Sequence, residues 1–133
     1  MQPADGKPWG RAATPYEEIG GEDAVRRLVE TFYDRIDADS PELRAMLPRD
    51  DSGSRQKLYE FLSGWLGGPQ LYIERRGHPK MRLRHLPFAI GPSEAEEWLR
   101  CMGDAMDDCG VDGALRHYLD VRFQQMALHM VNQ

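Results

Sequence analysis

One stretch concentrates the side chains able to do chemistry: Gly77-His78-Pro79-Lys80-Met81-Arg82-Leu83-Arg84-His85-Leu86-Pro87-Phe88. It sets a histidine among apolar neighbours, with arginines just upstream. A haem iron needs a neutral imidazole nitrogen, apolar side chains against the macrocycle and cations near its propionates, and this segment offers all three. His85 is the candidate metal ligand. Arg82, three residues earlier, shares its face if that turn is helical and can then reach an anionic group on the same ligand. Arg84 points elsewhere and suits the surface equally well. Phe88 follows within one turn and can pack on a flat ring system or in an ordinary core. His78 precedes Pro79, a context that favours extended geometry, so it reads as a loop-fixing hydrogen-bonder rather than a second ligand.

The remaining histidines, His117 and His129, lie off the apolar stripe of the last predicted helix and read as solvated. No histidine pairs with another, or with a Cys-x-x-Cys, at zinc-site spacing. Cys101 and Cys109 share one predicted helix, where eight residues separate them by about 12 Å, so they read as free thiols that fill the core. The chain has 133 residues, 41% of them hydrophobic, and a net charge of −5. Those values fit one compact domain and argue against a nucleic-acid or anionic-membrane partner, which would demand a clustered basic face. No apolar run approaches the roughly 18 residues of a membrane span. Met1 to Thr14 lacks the apolar core of a secretory signal and reads as a flexible extension ahead of a domain at 15–133, in a cytoplasmic protein.

Four segments with helical apolar period must position these groups, which makes the expected fold all-α. Val25, Leu28, Val29, Phe32, Tyr33 and Ile36 form the first stripe, ending near Asp37. Ser40-Pro41 opens a short helix that stops before Pro48, and a polar loop over 49–53 follows. Leu58, Phe61, Leu62, Trp65 and Leu66 make the next stripe, ended by Gly67-Gly68-Pro69. Residues 70–90 lose the period, which predicts an irregular segment with one or two helical turns around His85. Ser93 and Glu96 fit a capping box for a helix bearing Ala95, Trp98, Leu99, Met102, Ala105, Met106 and Cys109, with Gly110 at its end. Asp112 can cap a last helix whose buried face is Leu115, Tyr118, Leu119, Phe123, Met126, Ala127 and Met130.

Taken together and in order, several segments resemble the truncated haemoglobins, and more narrowly their group II branch. They are Tyr16-Glu17-Glu18-Ile19-Gly20-Gly21, Phe32-Tyr33-Asp34, Phe61-Leu62-Ser63-Gly64-Trp65-Leu66-Gly67-Gly68-Pro69, Gly77-His78-Pro79, Arg84-His85-Leu86-Pro87-Phe88 and Trp98-Leu99-Arg100-Cys101-Met102. The resemblance spans about Pro15 to Asn132. It implies a truncated globin fold, a two-over-two helical sandwich around haem b. His85 would be the proximal ligand, opposite a distal side formed by the helices of Tyr33 and Leu58. It implies that Arg82, Arg84 and Tyr72 secure the propionates, and that Tyr33 and Trp98 donate hydrogen bonds to the bound gas. Ser54 matches the distal position where many globins carry histidine, with a hydroxyl too short to reach the iron. Leu58, Phe61 and Leu62 would line the pocket. Leu47 stands where relatives usually have an aromatic or histidine beside the haem, which removes a third donor.

The expected function is reversible binding of dioxygen, nitric oxide or carbon monoxide, by a monomer or homodimer. Oxidation of nitric oxide or reduction of peroxides would need electrons from an external reductase, because the chain has no flavin or nicotinamide module. The competing reading is a cofactor-free helical interaction module, whose preparation would stay colourless when haem is supplied.

Overall fold

A computed structural model describes residues 6–85 and 88–133, apart from the side chain of Arg82. Eight helices appear among the described residues: α1 (Pro15–Ile19), α2 (Glu22–Asp39), α3 (Pro41–Ala45), α4 (Ser52–Trp65), α5 (Leu71–Arg76), α6 (Met81–His85), α7 (Pro92–Asp108) and α8 (Gly113–Met130). None is long and apolar enough to cross a membrane.

Local chemistry accounts for the boundaries. The short α1, absent from the sequence reading, starts where the Thr14 hydroxyl accepts the Glu17 amide at 3.1 Å, with Pro15 already holding a helical φ. Helix α2 outlasts the expected Asp37 by two residues because the Ser40 amide still reaches the Ile36 carbonyl, at 3.0 Å. Ser40 then caps α3 by accepting the Leu43 amide at 3.4 Å. The irregular stretch contains two short helices, α5 and α6. Helix α7 starts earlier than its expected Ser93 cap: Glu94, not Glu96, reaches back to accept the Gly91 amide at 2.6 Å, and Pro92 opens the first turn. Asp112 occupies the cap position of α8, but its side chain makes no capping bond.

The four long helices form two pairs, α2 with α4 and α7 with α8, joined by the packing of α2 on α7. Their shared core contains Leu28, Phe32, Leu62, Met102, Leu119 and Phe123. Each such side chain contributes about 1.5–3 kcal/mol relative to exposure. The Gly67-Gly68-Pro69 break lets the chain pass against α1, since a Cβ on Gly68 would run into the Tyr16 ring.

Helix α4 departs from its expected stripe. Its fully packed face is Tyr59, Leu62, Ser63 and the following Leu66, whereas Leu58, Phe61 and Trp65 are only half-buried. A second apolar row at helical spacing therefore remains partly open beside the one that the core consumes.

Candidate functional site

His85 is the last residue of α6, and its half-buried ring has Nδ1 2.6 Å from the Met81 carbonyl oxygen one turn earlier. A carbonyl can only accept, so Nδ1 carries the proton and Nε2 keeps its lone pair. Nε2 has no hydrogen-bond partner among the described residues. An imidazole with one nitrogen tied to a carbonyl and the other free is the form a metal ligand requires.

The chain end helps to hold this segment. Asn132 Nδ2 donates to the carbonyls of Phe88 at 2.9 Å and His85 at 3.4 Å, while its Oδ1 accepts the Ile90 amide at 2.9 Å. The Phe88 ring lies 6.5 Å from the imidazole and is 44% exposed, open to a flat partner. Arg84 is exposed and donates to the Pro79 carbonyl at 2.8 Å, which ties down the entry to α6. His78 is exposed and makes no hydrogen bond among the described residues, contrary to the expected loop-fixing role. Leu86, Pro87 and the Arg82 side chain lie outside the described residues.

Across the fold, Tyr33 is buried on α2 and its hydroxyl donates to the Ser54 carbonyl on α4 at 3.3 Å. Burial first, and then the negative charge of Asp51, push the phenol up to about 12, against an opposing pull from Arg55. At neutral pH it is a protonated donor. Trp98 on α7 is half-buried, its ring 5.1 Å from Phe32 and 5.6 Å from Phe123. Phe32 also meets Tyr33 at 5.2 Å, so one ring spaces the two expected donors. The Trp98 Nε1–H has no acceptor among the described residues.

The half-covered row of α4 supplies a wall, as Phe61 stacks on Trp65 at 6.3 Å and meets the edge of buried Tyr72 at 6.4 Å. Leu62 is fully buried, while Leu58, Leu47 and Ser54 are half-buried. The Tyr72 hydroxyl makes no hydrogen bond among the described residues. A free imidazole nitrogen, an unshared indole N–H, an unshared phenol and an open apolar row match what a haem and its gas ligand would consume. A cavity of about 170 Å³ between α7 and α8 is lined by Leu99, Met102, Met106, Asp120, Phe123 and Gln124, and Phe123 connects it to Trp98.

Three residues around the site were not singled out from sequence. Asn132 had no signal there, since its role depends on where the chain end lands. Glu60 is a carboxylate inside an apolar stripe, a mismatch that points to buried pairing; it receives Arg76 Nε at 2.6 Å, Arg75 Nη1 at 2.9 Å and Gln56 Nε2 at 3.1 Å. Arg55 follows Asp51 by one helical turn and bonds it at 3.0 Å, a spacing readable in the sequence.

The profile of the bacterial-like globins matches residues 14–132. A group 2 truncated haemoglobin of Bacillus subtilis is 48% identical over 119 residues, which cover 90% of this chain and 89% of that protein. The crystal structure of the group II truncated haemoglobin from Bacillus anthracis superposes with a TM-score of 0.89 at 47% identity, covering 92% of this chain and 98% of that one. The X-ray structure of a truncated oxygen-avid haemoglobin from Bacillus subtilis gives 0.85 at 47% identity, over 90% and 99% of the two chains.

Proposed function

Because this chain belongs to the bacterial-like globins, and within them to the group II truncated haemoglobins, we propose that it binds haem b through His85 and holds dioxygen beneath Tyr33 and Trp98. As a globin it is a haem protein that binds diatomic gases such as oxygen. The haem iron, when bound, supplies reversible coordination of the gas. The supporting observation is the state of His85, whose tautomer is set by the Met81 carbonyl and whose Nε2 is unengaged among the described residues.

The chain's own groups do the rest. Leu58, Phe61 and Leu47 would keep water from a bound haem, Leu62 is fully buried behind them and would support that wall, and Phe88 would pack near the imidazole. Tyr72 Oη and Arg84 would secure the propionates, with Arg82 assigned the same role by family pattern alone, and Arg84 would give up its Pro79 carbonyl to do so. The Tyr33 hydroxyl would turn from Ser54 to a bound gas, and the Trp98 indole, with no competing acceptor among the described residues, would join it. Each such bond contributes about 0.5–1.5 kcal/mol, enough for up to roughly tenfold in residence time. The oxygen-avid haemoglobin of Bacillus subtilis is a precedent for tight retention at this level of similarity. Nitric oxide and carbon monoxide fit the same pocket. Turnover of nitric oxide or peroxide draws electrons from an external reductase.

Haem titration with a Soret readout is expected to give one haem per chain, and His85→Ala to lose stable retention. Tyr33→Phe and Trp98→Phe are each expected to speed oxygen dissociation about tenfold. Normal haem uptake with an unaltered spectrum in the alanine variant refutes the ligand assignment, and unchanged dissociation in both aromatic variants refutes the donors.

A further inference from the structure

Beside Tyr33, one guanidinium collects more charge than a helix contact needs. Arg55, only 16% exposed, donates from Nη1 to Glu30 Oε2 at 2.9 Å and Asp34 Oδ1 at 3.0 Å, from Nη2 to Asp37 Oδ2 at 3.4 Å, and from Nε to Asp51 Oδ1 at 3.0 Å. It also reaches the Glu30 carbonyl at 3.3 Å. Three of these carboxylates lie on successive turns of α2, and the fourth, Asp51, stands at the N-cap position of α4 without making a capping bond. Glu30, Asp34 and Asp37 are 43–69% exposed, so solvent screens these ion pairs and they return little net stability. What such a cluster does impose is a fixed geometry between the two helices it joins.

Tyr33 sits inside that bracket. The Arg55 Cζ is 5.5 Å from its ring centroid, and the carbonyl that accepts its hydroxyl belongs to Ser54, the residue bonded to Arg55. We propose that Arg55 is a positioning residue for gas binding, which locks α2 to α4 so that the Tyr33 hydroxyl can turn between the Ser54 carbonyl and the gas. This rests on the reading of Tyr33 as a distal donor. The 3.3 Å bond to Ser54 is long for an O–H donor, so the hydroxyl leaves it at small cost. Asp51, whose buried Oδ2 has no partner among the described residues, opposes loss of the phenolic proton.

Stopped-flow oxygen dissociation from the haem-loaded protein tests the coupling in a double-mutant cycle. Arg55→Met is expected to raise the rate about three- to tenfold when Tyr33 is present, and by less than about 1.5-fold in a Tyr33→Phe background. Arg55→Lys keeps the charge but loses the rigid fork of donors, and guards against failure of the first variant to fold. It should show the same dependence on Tyr33 at lower amplitude. The infrared stretch of bound carbon monoxide should shift in Arg55→Met in the direction seen for Tyr33→Phe. Arg35→Met, which unpins α2 from Asp108 on α7 instead, should leave the rate unchanged. An equal factor in both backgrounds, or no factor in either, overturns the positioning role while Tyr33→Phe alone still speeds release. A Tyr33→Phe rate equal to that of the native protein overturns the donor reading itself and the inference with it.

Discussion

Replacing Glu60 by glutamine should weaken the fold strongly at neutral pH and hardly at all in acid. The Glu60 side chain is 2% exposed, and it gathers two guanidinium groups from α5 and an amide from its own helix. Burial alone would raise its pKa; the hydrogen bonds from Arg76, Gln56 and Arg75 outweigh that and hold it at about 2, against an ordinary 4.5. A depression of that size corresponds to about 3 kcal/mol favouring the charged, folded form. Arg75 is 54% exposed, so solvent screens part of this, and about 2–3 kcal/mol is the working figure. Because the folded pKa is the lower one, the contribution is fully present above about pH 4.5 and is lost as pH falls towards 2. Urea unfolding of the native protein and Glu60→Gln at several pH values measures the difference, in which effects of haem release common to both chains cancel. A gap below about 1 kcal/mol at pH 7, or one that stays constant down to pH 3, would refute the reasoning.

Asn132→Ala removes both side-chain contacts to the carbonyls of His85 and Phe88 and the acceptor of the Ile90 amide, so haem transfer to an acceptor globin should speed several-fold while oxygen dissociation changes little. An unchanged rate of haem loss would show that the clip is not needed to hold the imidazole. At the alkaline end, Tyr33 titrates near 12 in the fold but near 10 when unfolded, so stability should fall as pH rises from 10 towards 12. Tyr33→Phe should fall less steeply over that window in the same unfolding assay; parallel slopes would refute the buried, protonated phenol.

The long helices were legible because a period of 3.6 residues must face a core, and the α2 stripe from Val25 to Ile36 is buried residue for residue. Short elements carry too few turns for a period: α1 was missed, whereas α3 was legible from its Ser40-Pro41 start and α6 as a helical turn around His85. Periodicity also misassigned the packed face of α4, because two apolar rows run side by side there and the protein core covers only one of them fully. At the candidate site, residue types pointed to His85 and family pattern to Tyr33 and Trp98. The tertiary partners Asn132, Arg55 and Glu60 emerged only once distant segments were brought together, with Asn132 and His85 separated by 47 positions.

The carboxylates around Arg55 outnumber the cations there, with Arg44 adding a single further positive charge, 2.8 Å from Asp37. The surface around the Arg55 cluster therefore carries a net negative field, in which a neutral diatomic molecule feels no net force of charge. An anion such as nitrite meets repulsion, and raising the ionic strength weakens that barrier for the ion while leaving the gas indifferent.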